Sequence, residues 1–180
     1  MQNFDYLSQL SDFQQLYSYC RDAENFQLVA PEKSVVGARK ALEYWVKMVY
    51  LVNKWDIPAR SGLMELISNE DFITFVGDAQ MMENIHFIRM VGNHGAHGQS
   101  IKPKESLHAL ACLYELIGEY LMMIDVIDSF PHFDATLVPK TVTISIVTQE
   151  GGPSIAPNTL DQYEHAAEGK KLHLNQPSVL

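Results

Sequence analysis

The sequence has few basic residues for its size. It contains 13 lysines and arginines against 22 aspartates and glutamates in 180 residues, a formal charge of −9. The excess of acid lies in the body of the chain, because residues 1–130 hold 10 basic and 17 acidic side chains. A surface that binds nucleic acid by neutralising phosphates needs a basic excess or a basic stripe. We therefore expect no nucleic-acid binding through the bulk charge of this chain.

Cysteines and long apolar runs are also scarce. The two cysteines, Cys20 and Cys112, are far apart and fall at apolar helical positions, which indicates buried thiols in a reducing compartment and no disulfide framework. No uninterrupted apolar run approaches the 18 residues of a membrane-spanning helix, and the first residues lack the pattern of a signal peptide. Because 47% of the residues are hydrophobic, the composition is that of a globular protein. The sequence predicts a cytoplasmic protein with no membrane partner.

Apolar residues recur at helical spacing as far as about Phe130. Pro31 and Pro103 stand where helices would begin, and Asp78 is a candidate N-cap. One or two short helices are expected in 61–76, broken around Ser68-Asn69. The four long helices are predicted near residues 11–28, 31–53, 78–97 and 103–129. The predicted fold is all-α, an up-down bundle of four to five main helices formed by residues 1–130.

Residues 131–180 differ in composition from the predicted bundle. They hold five of the eight prolines and the sequence Gly151-Gly152-Pro153. Residues 141–148 alternate Thr or Ser with Val or Ile, which predicts a β-strand. Residues 159–168 suggest a short helix. We therefore predict an irregular C-terminal extension that serves as a connector or tail.

The run IRMVGNHGAHG at 88–98 interrupts a predicted helix with glycines and histidines. Arg89, Asn93 and His97 are four residues apart and fan over about 80° of one helix face, so they are candidate catalytic residues. Beside them lie three small residues that would let a second helix approach closely. These predicted close-packing residues are Gly92, Gly95 and Ala96. The run therefore suits either a catalytic site or a close helix crossing.

Charged residues also interrupt the apolar faces of the predicted helices. An unpaired ion inside a bundle costs several kcal/mol, whereas a hydrogen-bonded pair is tolerated. One hypothesis is a polar network that connects three helices and consists of Glu24, Arg39, Glu43 and Arg89. The alternative is that Arg39 and Glu43 form an exposed i, i+4 pair, worth about 0.3–0.5 kcal/mol.

A metal site is the third interpretation of these polar residues. The spacings Glu83 to His86 and Glu105 to His108 resemble the ligand pairs of a di-iron carboxylate bundle. The predicted register, however, sets the two pairs roughly 10 Å apart along the bundle axis. Two further histidines, His94 and His97, have no additional ligands at zinc-like spacing. We therefore predict no metal site.

Three motifs in order resemble a known family. They are A-E at Ala23-Glu24, R-x3-E from Arg39 to Glu43, and R-x2-G-N-x-x-A-H from Arg89 to His97. Together they resemble a helical domain of the HEPN superfamily, in particular the version at the N-terminus of type I restriction-modification R subunits. The resemblance covers about residues 3–140, including the segment FPHFDATLVP at 130–139.

The histidine motif of this chain departs from that of active HEPN ribonucleases. Those enzymes carry R-x4-6-H, often R-N-x3-H, in which the arginine and histidine handle the scissile phosphate. When the motif is aligned through Asn93 and His97, Gly92 stands where the catalytic arginine belongs. The resemblance therefore implies a domain without ribonuclease chemistry.

The resemblance implies a docking or regulatory domain of an R subunit. Such a subunit belongs to an ATP-dependent, DNA-translocating endonuclease that assembles with modification and specificity subunits. ATP and magnesium are implied for that parent alone, because the chain has no G-x4-G-K-[ST] loop and no P-D…E-x-K pattern. The nuclease and motor are expected beyond Leu180, and no cofactor is expected in this segment. The alternative is a stand-alone HEPN-like protein, either a weak or inactive ribonuclease or a partner-binding module. HEPN-like domains commonly pair through the histidine face, which predicts a homodimer.

Overall fold

The computed structural model of the protein describes residues 1–141, and this part of the chain is all-α. Short 3-10 segments at Asn3–Gln9 and Ser11–Phe13 precede the first α-helix, and another lies at Ala135–Leu137. Residues 1–141 contain six α-helices, namely α1 (Gln14–Phe26), α2 (Pro31–Val52), α3 (Leu63–Ile67), α4 (Glu70–Val76), α5 (Ala79–Ala96) and α6 (Pro103–Met123). The prediction of an all-α bundle is confirmed. The helix predicted at 159–168 lies outside the described residues, as does the strand predicted at 141–148 apart from Thr141.

Local sequence signals set most of the helix boundaries. Pro31 and Pro103 occupy the first positions of α2 and α6, where a missing N–H costs no helical hydrogen bond. The Asp78 carboxylate accepts a hydrogen bond of 2.7 Å from the backbone N–H of Met81 and so caps α5. The Asn69 side chain caps α4 in the same way, which produces the predicted break between α3 and α4.

Helix α6 ends at Met123, six residues earlier than predicted. Asp125 has the left-handed backbone conformation, with φ of 56°. The N–H of Val126 donates to the Leu121 carbonyl at 2.9 Å, and that of Asp125 donates to the Met122 carbonyl at 3.1 Å. These two bonds form a Schellman motif, which satisfies the last carbonyls of the helix and turns the chain away. Glycine usually occupies the position of Asp125, so the sequence carries no obvious stop signal there.

Helix α2 lies at the centre of the bundle and packs against α1, α5 and α6. Trp45, near its middle, is 1% exposed and meets the rings of Phe72 and Tyr120 edge to face, with centroids 5.9 and 5.6 Å apart. Edge-to-face geometry is the favourable arrangement for aromatic pairs. Ile85 and Ile88 of α5 are fully buried in this core. None of the helices in residues 1–141 is both long enough and apolar enough to cross a membrane.

The segment after α6 packs back onto the bundle. The ring of Phe130 lies directly over Gly118, where any Cβ would collide with it. The Tyr114 hydroxyl donates to the Pro131 carbonyl at 2.8 Å, and Val138 is 3% exposed. The packed body therefore includes residues up to at least Val138, which the sequence analysis assigned to the tail after residue 130.

Candidate functional site

The candidate site lies where α5 crosses α2, and two glycines set the distance between these helices. A Cβ on Gly95 would lie 2.7 Å from Val35 Cγ2 and 2.9 Å from the carbonyl oxygen of Glu32. A Cβ on Gly92 would collide with the Arg39 side chain and lie 2.9 Å from the Val35 carbonyl oxygen. The two helices approach closely at both glycines because neither residue has a side chain. Their register also shows that α5 runs antiparallel to α2.

Ala96, the third predicted close-packing residue, is exposed and does not lie at this crossing. The helix has turned it away from α2, because one residue corresponds to about 100° of rotation from Gly95. A third close approach occurs between α1 and α2, at Gly37 of α2. A Cβ there would lie 3.2 Å from Ala23 Cα, so α1 and α2 also approach closely.

Two arginines lie at the crossing of α2 and α5. The stem of Arg39 covers Gly92, and Arg89 precedes Gly92 by three residues, on the same side of α5. Both side chains are partly buried. The Nε atoms of both are buried without a hydrogen-bond partner within residues 1–141. The crossing therefore brings two cationic side chains to one part of the bundle.

The predicted network of Glu24, Arg39, Glu43 and Arg89 does not form in residues 1–141. Glu43 instead pairs with Lys47 at 2.7 Å, one turn along the same helix. No salt bridge joins either glutamate to either arginine in this part of the chain. Lys47 reaches Glu43 without crossing to another helix, whereas Arg39 lies over α5. Glu43 therefore pairs with Lys47, one turn after it in α2, and not with Arg39, one turn before it, as the i, i+4 alternative predicted.

Glu24 is buried and bound to the N-terminal segment of the chain. Its Oε1 accepts hydrogen bonds from the Asn3 backbone N–H at 2.9 Å and from the Asn3 side-chain amide at 2.7 Å. Burial raises the pKa of Glu24, and the hydrogen bonds from Asn3 and Phe4 oppose that shift. The same Asn3 side chain exchanges two hydrogen bonds with the Asp134 backbone, at 3.0 and 2.8 Å. We call this junction of Asn3, Glu24 and Asp134 the Asn3 clasp.

The candidate catalytic residues Asn93 and His97 lie at the C-terminal end of α5. Asn93 is partly buried, and its carbonyl accepts a hydrogen bond of 3.0 Å from the His97 N–H. His97 is the exposed C-cap, and Gly98 follows it with φ of 72°, the left-handed conformation that ends the helix. The three candidates thus extend from the partly buried Arg89 to a histidine at the surface.

Glu105 and His108, two residues of the metal hypothesis, have local structural roles. Within residues 1–141, no group of three or more histidine, cysteine, aspartate and glutamate side chains is placed to hold a metal ion. Glu105 accepts a hydrogen bond of 2.9 Å from the Lys102 N–H in the capping box of α6. His108 packs on the ring of Phe87, with centroids 4.7 Å apart.

A cleft of about 560 Å³ opens on the surface of the bundle. It lies between the start of α5 and the second half of α6, with aromatic residues of α2 and α4 at its base. Three carboxylates, Asp78, Glu115 and Glu119, line it, and we call it the acidic cleft. The sequence did not predict this cleft, because no local pattern indicates that an opening lies beside Glu115 and Glu119.

Comparison with known proteins gives no relative from which to transfer a function. No protein-family model, no curated protein and no solved structure matches this chain.

Proposed function

We propose that this chain is a docking or regulatory domain of a type I restriction-modification R subunit, with no catalysis of its own. The observation that carries the proposal is the position of Gly92. In the HEPN motif this position belongs to the catalytic arginine, but here the backbone of α5 lies directly against Val35 and Arg39 of α2. No side chain fits at residue 92 unless the two helices separate.

Arg89 does not replace the missing arginine geometrically. It lies eight residues before His97, or about 12 Å along the helix axis, whereas R-N-x3-H spans five residues and about 7.5 Å. The pair of Arg89 and His94 has the five-residue spacing, but Met90 stands where R-N-x3-H has its asparagine. The complete R-N-x3-H motif is therefore not present on α5.

The proposed partners are the modification and specificity subunits of the same restriction system. ATP and magnesium would act in the motor and nuclease parts of the parent enzyme. A second copy of the chain is a further proposed partner, through the C-terminal end of α5, where His94, Ala96 and His97 are all exposed. Because these residues are exposed, they are available for contact with another protein and do not contribute to the core.

The test is to mix the purified chain with the modification–specificity complex of its own system and to measure sedimentation. We expect a complex that sediments faster than either component. The matched control is the modification–specificity complex of an unrelated restriction system, which should not bind. Absence of binding to both complexes would reject the docking proposal. The reading frame beyond Leu180 gives an independent check, because the proposal requires that it continue into a nuclease and motor.

The same preparation tests the stand-alone HEPN alternative. We expect no cleavage of single-stranded RNA, because residue 92 carries no cation. RNA cleavage that is lost in His97→Ala would select a stand-alone ribonuclease over the docking domain. Light scattering tests the homodimer separately: a monomer at every concentration would reject pairing through the histidine face.

A further inference from the structure

The acidic cleft lies at the opposite end of α5 from the histidine motif. Its α5 residues fall between Asp78 and Asn84, whereas the α2 crossing involves Gly92 and Gly95. Eight residues of helix, or about 12 Å, separate Asn84 from Gly92. The cleft is thus a second feature of the surface, independent of the docking function proposed above.

The base of the acidic cleft is aromatic. Trp45 of α2, Phe75 of α4 and Tyr120 of α6 each contribute a ring. The Trp45 and Tyr120 rings are 5.6 Å apart at an interplanar angle of 87°, and Phe75 lies 6.5 Å from Tyr120. Aromatic faces attract cations through the ring quadrupole, with a larger effect when the cation is desolvated. Three rings from three helices therefore favour a ligand that combines apolar surface with positive charge.

The rim of the cleft is acidic and carries no basic residue. Glu115 and Glu119 are one turn apart on α6, where two like charges repel each other. Neither side chain forms a hydrogen bond or a salt bridge within residues 1–141. Asp78 caps α5 through Oδ1, and its second carboxylate oxygen, Oδ2, takes no part in that hydrogen bond. A cation in the cleft would relieve the repulsion between the glutamates.

Trp45 supplies a separate, buried indication of a ligand. The residue is 1% exposed, and its indole Nε1 is buried without an acceptor within residues 1–141. A buried donor without a partner retains the full desolvation penalty of an unmade hydrogen bond. This donor belongs to a residue that lines the cleft.

We propose that the acidic cleft binds a small organic cation, namely an ammonium or guanidinium group on an apolar body about the size of an aromatic ring. The volume of about 560 Å³ lies within the usual range for ligand sites. The aromatic base takes the apolar body, and the carboxylates of Glu115 and Glu119 take the charge. This cation has two possible sources. One is a free amine, and the other is a lysine or arginine side chain that stands next to an aromatic residue in a protein.

The two indole N–H signals of the ¹⁵N-labelled full chain report on this binding directly. The protein has two tryptophans, Trp45 and Trp55, and the Trp55→Phe variant assigns their signals. Titration with phenethylammonium chloride should shift the Trp45 signal in a saturable way. Phenylacetate, which has a similar shape and the opposite charge, should produce no saturable shift at the same concentrations.

The carboxylates are tested by substitution. Glu115→Gln/Glu119→Gln should weaken phenethylammonium binding by about two- to 25-fold, since one exposed charge pair accounts for about 1.4- to fivefold. The matched control, Asp12→Asn/Glu65→Gln, removes two exposed charges outside the cleft and should leave the affinity unchanged. Unchanged signal dispersion in both variants shows that each is folded.

Three results would each overturn the proposal. They are no saturable shift with phenethylammonium, equal binding of phenylacetate by the unsubstituted protein, and unchanged affinity in the folded Glu115→Gln/Glu119→Gln variant. The blocked dipeptide acetyl-phenylalanyl-lysinamide then identifies the source of the cation. Tighter binding of the dipeptide than of phenethylammonium assigns the cleft to a side chain of a protein, and weaker binding assigns it to a free amine. Failure of the docking experiment leaves this result intact, because the two experiments use different partners.

Discussion

Gly92→Ala tests the close crossing of α5 and α2 with a single methyl group. The new Cβ would collide with the Arg39 side chain and lie 2.9 Å from the Val35 carbonyl oxygen. Overpacking of this kind costs about 1–3 kcal/mol, and contact with a backbone oxygen favours the upper end because a helix backbone cannot rotate away. Alanine recovers about 1 kcal/mol over glycine in a helix. The expected net loss is therefore about 2 kcal/mol.

This loss corresponds to a melting temperature lower by roughly 4–8 °C for a domain of this size. Thermal unfolding followed by circular dichroism and urea denaturation both measure it. Gly62→Ala is the matched control, because a Cβ there meets nothing within 4 Å and the residue has φ of −83°. It should change the stability by less than about 0.5 kcal/mol, because the lower entropy of the unfolded chain offsets the poorer N-cap that alanine gives α3. A Gly92→Ala protein at least as stable as the unsubstituted one would refute the argument about the crossing.

Three further predictions concern charged and titratable groups. Arg89→Ala should lower the free energy of unfolding by about 1 kcal/mol, because the packing of the arginine stem is lost but no buried carboxylate is left unmatched. A decrease of about 3–5 kcal/mol in urea denaturation would instead reveal an ionic partner of Arg89. The folded protein holds the Glu24 proton more tightly than the unfolded chain, because burial raises the pKa of Glu24 above its ordinary value of 4.5. The contribution of Glu24 to stability is therefore largest at low pH and declines as the pH rises through the folded-state pKa. The stability of Glu24→Gln relative to the unsubstituted protein should accordingly increase as the pH is raised from 4 to 7. A difference in unfolding free energy between the two proteins that stays constant over this range would contradict the prediction. Burial raises the pKa of Cys20 well above its ordinary value and that of Cys112 to about 11, so Ellman's reagent at pH 8 should react slowly with the folded protein and promptly with both thiols in urea.

The sequence predicted the helices well because their signals are local. Apolar residues at 3.6-residue spacing identify α2 and α5, and Pro31 and Asp78 mark their first turns. The end of α6 was missed because Asp125, not glycine, adopts the left-handed conformation. Ile124 and Ile127 continue the apolar pattern past this point, so periodicity alone extends the helix too far.

The polar contacts were harder to predict because spacing identifies a helix face but not the partner on it. Glu24 was placed correctly inside the bundle, but its partner, Asn3, lies in a segment without helical periodicity. Glu43 had two basic neighbours at four-residue spacing, and the choice of Lys47 over Arg39 depends on where α5 packs. The acidic cleft depends on the relative positions of α4, α5 and α6, which no single stretch of sequence encodes.

The Asn3 clasp has a consequence for the kinetics of folding. Its hydrogen bonds to Asp134 connect residues 131 positions apart, so they close a loop nearly as long as the described chain. Closing so long a loop is entropically unfavourable until the intervening helices have packed, so we expect these bonds to form after the transition state. Contacts absent from the transition state change the unfolding rate and leave the folding rate nearly unaltered. We therefore expect the clasp to set how long the folded domain persists, and the helices of the core to set how fast it forms.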